Sequence, residues 1–163
     1  MSLVSAILGE LEQESRTTRK VLERVPDDKL GWAPHPRSMT LGRLASHIAM
    51  VPSRVLLWLR AAEFDLVNAG PAPGLDQTAL IVAAFEKNLQ EMRDYLVSID
   101  DAVLKEPFTL KKDGNTVASL TKIGIVRAVL LNHTYHHRGQ LSVYLRLLDV
   151  PVPAMYGPSA DEQ

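Results

Sequence analysis

Four long stretches of this chain repeat their apolar residues with a helical period, and the need to bury four such stripes limits the fold more than any other feature. The first runs from Ser2 to about Val25, with Leu8, Leu11 and Leu22 on one stripe that Ser15 and Thr18 interrupt. The second starts at Thr40, an N-cap residue after the Pro34, Pro36 and Ser38 cluster, and continues to about Phe64 through Leu44, His47, Val51 and Trp58. Pro52 inside it has no N–H for the carbonyl of Ile48, which predicts a bend one turn beyond His47. A third spans about Asp76 to Ile99, with Ile81, Phe85, Leu89, Met92 and Leu96 inward, after a proline-rich Gly70–Gly74 loop. The fourth runs from about Thr121 to Asp149 and stops before Val150-Pro151.

Between the third and fourth stretches, Phe108-Thr109-Leu110 and Thr116-Val117-Ala118 flank Lys112-Asp113-Gly114-Asn115, a hairpin signal. The tail from Pro151 to Gln163 carries three prolines and a glycine and predicts no regular structure. These stretches predict an all-α four-helix bundle, one domain over residues 1–163, with a short β-hairpin between helices three and four.

Composition removes whole classes of function. Lys+Arg 18 against Asp+Glu 19 gives a net charge of −1, with no block of like charge, so nothing draws the chain to nucleic acid. Cys 0 excludes disulfides, thiolate metal sites and a cysteine nucleophile. The longest purely apolar run, Ala79 to Phe85, is far short of the roughly 20 residues that span a bilayer. The first twenty residues read as amphipathic helix without the features of a secretory leader. A soluble cytoplasmic protein is expected.

The histidines carry the chemistry. His35 sits between two prolines and reads as solvated or structural. His133 and His137 lie one turn apart, about 40° from each other on a helix surface, on the same arc as Val126, Val129, Leu130, Tyr144 and Leu147. His136 falls about 60° away on the other side, at the edge of that arc. His47 independently shares its stripe with Leu44, Val51 and Trp58. Three imidazoles from two helices, all inward, suit a three-nitrogen site for Zn, Ni, Cu or Fe that leaves a position open for water or substrate. Hydrogen-bonded core histidines are the other reading of the same pattern.

Polar neighbours share these faces. Gln140 lies on the His133 face, where it either bonds a metal-bound water or fills a core gap. Arg54, seven residues after His47 on one stripe, either recognises an anionic group at a pocket mouth or snorkels past the Pro52 bend. Asn132 and Arg138 are expected to point outward. The Ser15/Thr18 interruption leaves room for a mid-bundle cavity, or marks a close helix contact. No inward carboxylate is found on helices two or four near the histidines, and Glu10 and Glu14 on helix one remain unplaced.

The run Asn132-His-Thr-Tyr-His-His-Arg-Gly-Gln140, continuing Leu-Ser-Val-Tyr-Leu-Arg-Leu-Leu, and the tail Val150-Pro-Val-Pro-Ala-Met-Tyr-Gly157 resemble the DinB-like family of metal-binding four-helix bundles. So does Leu30-Gly-Trp-Ala-Pro-His-Pro-Arg-Ser-Met-Thr-Leu-Gly-Arg-Leu-Ala-Ser-His47, which matches that family's loop into helix two and ends at its first metal histidine. The resemblance covers essentially the whole chain. It implies an up-down-down-up helix order and His47, His133 and His137 as metal ligands, with His136 adjacent but not a ligand. It implies nickel or zinc as the divalent ion, and pairing of protomers as a homodimer. Relatives such as mycothiol-dependent maleylpyruvate isomerase and bacillithiol transferases act with low-molecular-weight thiols.

A metal-dependent transferase using a small-molecule thiol and a small electrophile is therefore the leading expectation, with Gln140 and Arg54 as the candidate catalytic residues. Two alternatives stand beside it: a metal-dependent hydrolase using metal-bound water, and a non-enzymatic metal-binding stress protein.

Overall fold

A computed structural model describes residues 2–70 and 74–162. Pro71, Ala72 and Pro73 of the expected proline-rich loop, and Gln163 at the end of the tail, lie outside the described residues.

The chain is mostly helical. Helix α1 (Leu3–Leu22) begins at Ser2, whose hydroxyl accepts from the Ser5 amide, and its first turn is tied down by Asp101, whose carboxylate accepts from the Leu3 and Val4 amides at 2.9 and 3.0 Å. Helix α2 (Leu41–Leu59) starts at the expected Thr40 cap, whose hydroxyl accepts from the Arg43 amide, and runs helical through Pro52. It stops five residues before Phe64, where the sequence reading had extended it. Helix α3 (Thr78–Val97) buries Ile81, Phe85, Leu89, Met92 and Leu96, as its spacing requires. A short helix, α4 (Asp101–Lys105), is capped by Asp100.

The last helical segment is continuous but not uniform. A single turn, α5 (Lys122–Ile125), passes into a π-helical stretch, Val126–His133, and then into α6 (Thr134–Leu147). In the described residues the long helices pack α2 on α3, α1 on α3, and α6 on both α1 and α2. Their core includes Leu11, Leu44, Ile48, Phe85, Leu89, Leu130 and Leu141.

The hairpin expectation needs correction. Strands β2 (Pro107–Lys112) and β3 (Asn115–Thr121) pair antiparallel, but β1 (Glu63–Asp65) joins β2 in parallel and makes a three-stranded sheet of order β1-β2-β3. Asp113 and Gly114 turn the hairpin with φ of 52° and 76°, the left-handed pair that a two-residue turn uses. Asp65 fastens β1 to that turn, its carboxylate accepting from the amides of Asp113 at 3.2 Å and Gly114 at 2.7 Å. Phe64 packs on Trp58, which also stacks on Phe108, so the sheet is anchored to the far end of α2. Three residues are too few to show a period of two, and the partner strand lies more than forty residues away. Neither signal is local enough to read in sequence.

The facing of the last segment is corrected at two positions. Leu147, expected inward, is 57% exposed. Arg138, expected on the surface, is among the most completely buried side chains of the protein. It reaches α1, where Nη2 donates to the Glu14 carboxylate at 2.7 Å and Nη1 donates to the Glu14 carbonyl at 3.1 Å and the Thr18 hydroxyl at 3.0 Å. Tyr156 from the tail closes the cluster, bonding both Arg138 and the Glu14 carboxylate. The polar interruption at Ser15 and Thr18 therefore receives a guanidinium. The void beside it is only about 20 Å³, too small for the mid-bundle cavity considered from sequence.

Candidate metal centre

The π-helical stretch ends at His133, and the first turn of α6 presents His137 beside it. From the facing helix α2, His47 meets both. His47 Nε2 lies 2.9 Å from His133 Nε2, and His137 Nε2 lies 3.1 Å from the same atom. The three rings stand nearly perpendicular to one another, with interplanar angles of 81–85°. One ligand atom from each histidine lies within 4.8 Å of the others.

Hydrogen-bond chemistry alone does not account for this convergence. A neutral imidazole has one N–H, and three Nε2 atoms facing a common point cannot all be satisfied by one another. His137 sharpens the case. Its Nδ1 lies 2.7 Å from the Gln140 side-chain oxygen, which can only accept, so Nδ1 carries the proton and Nε2 presents a lone pair. Two nitrogens that share an ion at about 2.0–2.1 Å stand about 2.9 Å apart at a right angle and about 3.4 Å apart at the tetrahedral angle. The observed separations fall at the lower part of that range. The donor set can hold a divalent metal ion.

Burial prepares the same atoms. It pushes the His47 imidazole down to about 4, helped by His137 and His133 and then by the charges of Arg54 and Arg43. Burial first, and then neighbouring histidines, also lowers His133. Burial lowers His137 against the opposing bond to Gln140. Uncharged imidazoles at neutral pH are the form in which histidine ligates. His136 is exposed, with its ring centroid 5.0 Å from that of His137, and is not part of the three-nitrogen group. His35 is exposed as well, its Nδ1 accepting from the Arg37 amide.

A cavity of about 660 Å³ opens over His47, lined by Leu30, Met39, Arg43, Arg54 and Leu75 among others. The loop before α2 forms one wall by close contact. The Leu30 and Trp32 carbonyls accept from the Gly42 and Leu41 amides at 2.9 and 2.8 Å. A Cβ on Gly42 would stand 3.1 Å from both Leu30 Cβ and the Leu30 carbonyl oxygen, so glycine lets the loop close onto the helix there. Arg54 is half-buried and lines this cavity. The side-chain oxygen of Gln140 lies 2.7 Å from His137 Nδ1 and orients that ring. Glu10 is engaged by Arg127 and Tyr135, and Glu14 by Arg138, so neither of these two carboxylates is spare. Sequence reasoning missed Arg43 as a lining residue, although its position one turn before His47 on the same face carries that signal.

The model of the DinB family matches residues 1–163. The chain belongs to the DinB family. Among proteins similar to this DinB-family chain is the uncharacterized protein YrdA of Bacillus subtilis (strain 168), 27% identical over 151 residues, which cover 93% of this chain and 86% of YrdA. Among solved structures, a DinB-like protein from Bacillus cereus ATCC 10987 superposes with a TM-score of 0.76 at 23% identity, covering 93% of this chain and 97% of that one. A DinB-like protein from Bacillus subtilis, YjoA, gives a TM-score of 0.69 at 15% identity, covering 97% and 99% of the two chains. At these identities the two structures support the DinB-like fold. In the described residues no helix is long and apolar enough to cross a membrane.

Proposed function

We propose that the protein is a metal-dependent transferase that joins a low-molecular-weight thiol to a small electrophile, with His47, His133 and His137 as the metal ligands. The observation that carries this reading is the convergence of three Nε2 atoms, one of them fixed as a lone-pair donor by Gln140. Nickel or zinc is the ion that imidazole donors and the family suggest. When bound, a divalent ion supplies Lewis acidity and an open position at which a thiol loses its proton near neutral pH.

The chain's own residues divide the remaining work. Gln140 holds the ring of His137. The cavity over His47 admits the reactants, with Arg54 at its edge. Because the chain has Cys 0, the nucleophilic sulfur comes from outside it. Transfer forms a sulfur–carbon bond as the S–H bond breaks together with either the carbon–leaving-group bond or a π bond of the electrophile, and the thiol proton goes to the departing group or to the adduct. The hydrolase alternative has less support, because the three-histidine group includes no carboxylate and Glu10 and Glu14 are paired elsewhere, although Asp76 stands on the cavity wall. The same reading takes the whole chain as one domain, and the four long helical segments as a bundle in up-down-down-up order.

A cobalt-substituted sample tests the thiol step. Adding a suitable biological thiol is expected to produce a new charge-transfer absorption that grows with pH along a curve lying below the free thiol's own pKa of about 8.5. If azide alters the cobalt spectrum but no monothiol or dithiol does, the thiol reading fails and the hydrolase moves ahead. If neither alters it, the protein is a metal-binding scaffold.

A homodimer belongs to the same proposal. Val143 and Leu147, one turn apart on α6 and each 57% exposed, offer apolar surface for a second copy to cover. Light scattering is expected to give twice the 18.0 kDa chain mass, and a monomer at micromolar concentration would count against pairing.

A further inference from the structure

Most arginines of this chain meet a carboxylate within 3.6 Å. Two that line the cavity over His47 do not. Among the described residues Arg43 makes no ion pair, and Arg54 has only a long 3.4 Å bond from Nη2 to the Gly70 carbonyl. The cavity wall also holds the exposed carboxylate of Asp76, which leaves the two guanidiniums with an excess of positive charge.

Their placement is as informative as their charge. Arg43, His47 and Arg54 are separated by four and then seven residues on one helix. At about 100° per residue these steps leave all three within roughly 40° of one another, on one face. Along the axis, at about 1.5 Å per residue, the two arginines stand about 16 Å apart, with His47 between them. Arginine side chains are long and flexible enough to close part of that gap. Leu30, Met39 and Leu75 give the space between them an apolar lining.

We infer that the cavity binds an elongated small molecule with an anionic group, carboxylate or phosphate, at each end, held by Arg43 and Arg54 so that its apolar middle lies over His47. This rests on the proposed function for the meaning of the site, since it names the class of reactant brought to the three histidines. A guanidinium grips either oxyanion through paired N–H donors, and a ligand with two separated charges satisfies both arginines at once. A ligand with one charge leaves an arginine unmatched, so length and double charge together set selectivity.

Isothermal titration calorimetry on metal-loaded and metal-free protein tests this with a series of straight-chain dicarboxylates from succinate to suberate. Monocarboxylates of equal length and inorganic phosphate complete the set of probes. One dicarboxylate length is expected to bind at least tenfold more tightly than its monocarboxylate counterpart, in both metal states. Arg43→Met and Arg54→Met are each expected to erase that tenfold preference without changing metal content or the circular dichroism spectrum. A preference for phosphate over every dicarboxylate of the series, lost in the same variants, would identify phosphate as the terminal group and keep the two-arginine grip. Equal affinity for mono- and dicarboxylates, no binding at any length, or a preference untouched by both substitutions overturns the inference. Binding that needs the metal and ignores both arginines places the anion on the ion, which sinks this inference and leaves the metal reading standing. Dicarboxylate binding that depends on both arginines in a protein that retains no metal does the reverse.

Discussion

Protein carrying His133→Ala is expected to be purified without its divalent ion, while His136→Ala retains about one equivalent per chain, measured by elemental analysis of untagged protein. The contrast follows from position. His133 Nε2 is the central atom of the group, 2.9 Å from His47 and 3.1 Å from His137. Its loss leaves two imidazoles on facing helices with no third donor, and two neutral nitrogens hold an ion poorly against water and chelators. His136 is the residue next to His137, but it faces solvent. A general effect of removing a histidine from this stretch would appear in both variants. Equal loss in the two would mean that the convergence of Nε2 atoms is not a metal site. Circular dichroism separates ligand loss from unfolding, because α6 keeps its buried Leu141 and Leu145 in either variant.

The second large effect is on stability, at the opposite side of the last helix. Glu14→Ala removes the carboxylate that Arg138 meets at 2.7 Å, and the guanidinium it leaves behind is only 1% exposed. Breaking a buried pair by deleting one partner leaves an uncompensated charge away from water and costs about 3–5 kcal/mol. For a chain of this length that is roughly a 10 °C fall in Tm. The exposed pair between Arg19 and Glu23 has nearly the same N–O distance, 2.8 Å, yet Arg19→Ala should cost far less, because water solvates whichever ion remains. Differential scanning calorimetry of the two variants checks the contrast. Equal shifts would show that the Arg138 cluster is better hydrated than its burial indicates. The Thr18 hydroxyl and the Tyr156 phenol bond the same arginine, so they soften the loss without replacing the negative charge.

The two clusters differ in how far they could be read from sequence. His133 and His137 share a face because regular α-helix begins directly after His133, so a spacing of four residues is a reliable guide between them. His47 could be placed because Leu44 and Val51 fix the inward face of α2 on either side of it. Arg138 was misplaced for a physical reason. A wheel of 100° per residue drawn through Val126–His133 ignores the wider π turns, which advance the chain by fewer degrees per residue. Past that stretch the buried stripe is carried by Thr134, Arg138, Leu141 and Leu145, and Leu147 turns out to solvent. A second signal lay in pairing two anomalies. Ser15 and Thr18 interrupt one apolar stripe and Arg138 interrupts another, and each polar gap is the complement of the other. Strand β1 gave no such warning, since its order comes from Asp65 and Phe64 meeting residues that are distant in the chain.

The wide turns before His133 also mean that the histidine pair is specified by counting as much as by chemistry. A π stretch holds a residue more than an α-helix of the same rise accommodates. Relaxing the segment to ordinary α geometry with its residue count unchanged would rotate everything beyond it by about 100°. His133 and His137 would swing away from His47, and Arg138 away from Glu14, with every side chain of both clusters still present. A substitution that straightens the wide turns is therefore expected to disturb both clusters, whereas a one-residue deletion within them leaves the helix beyond in register.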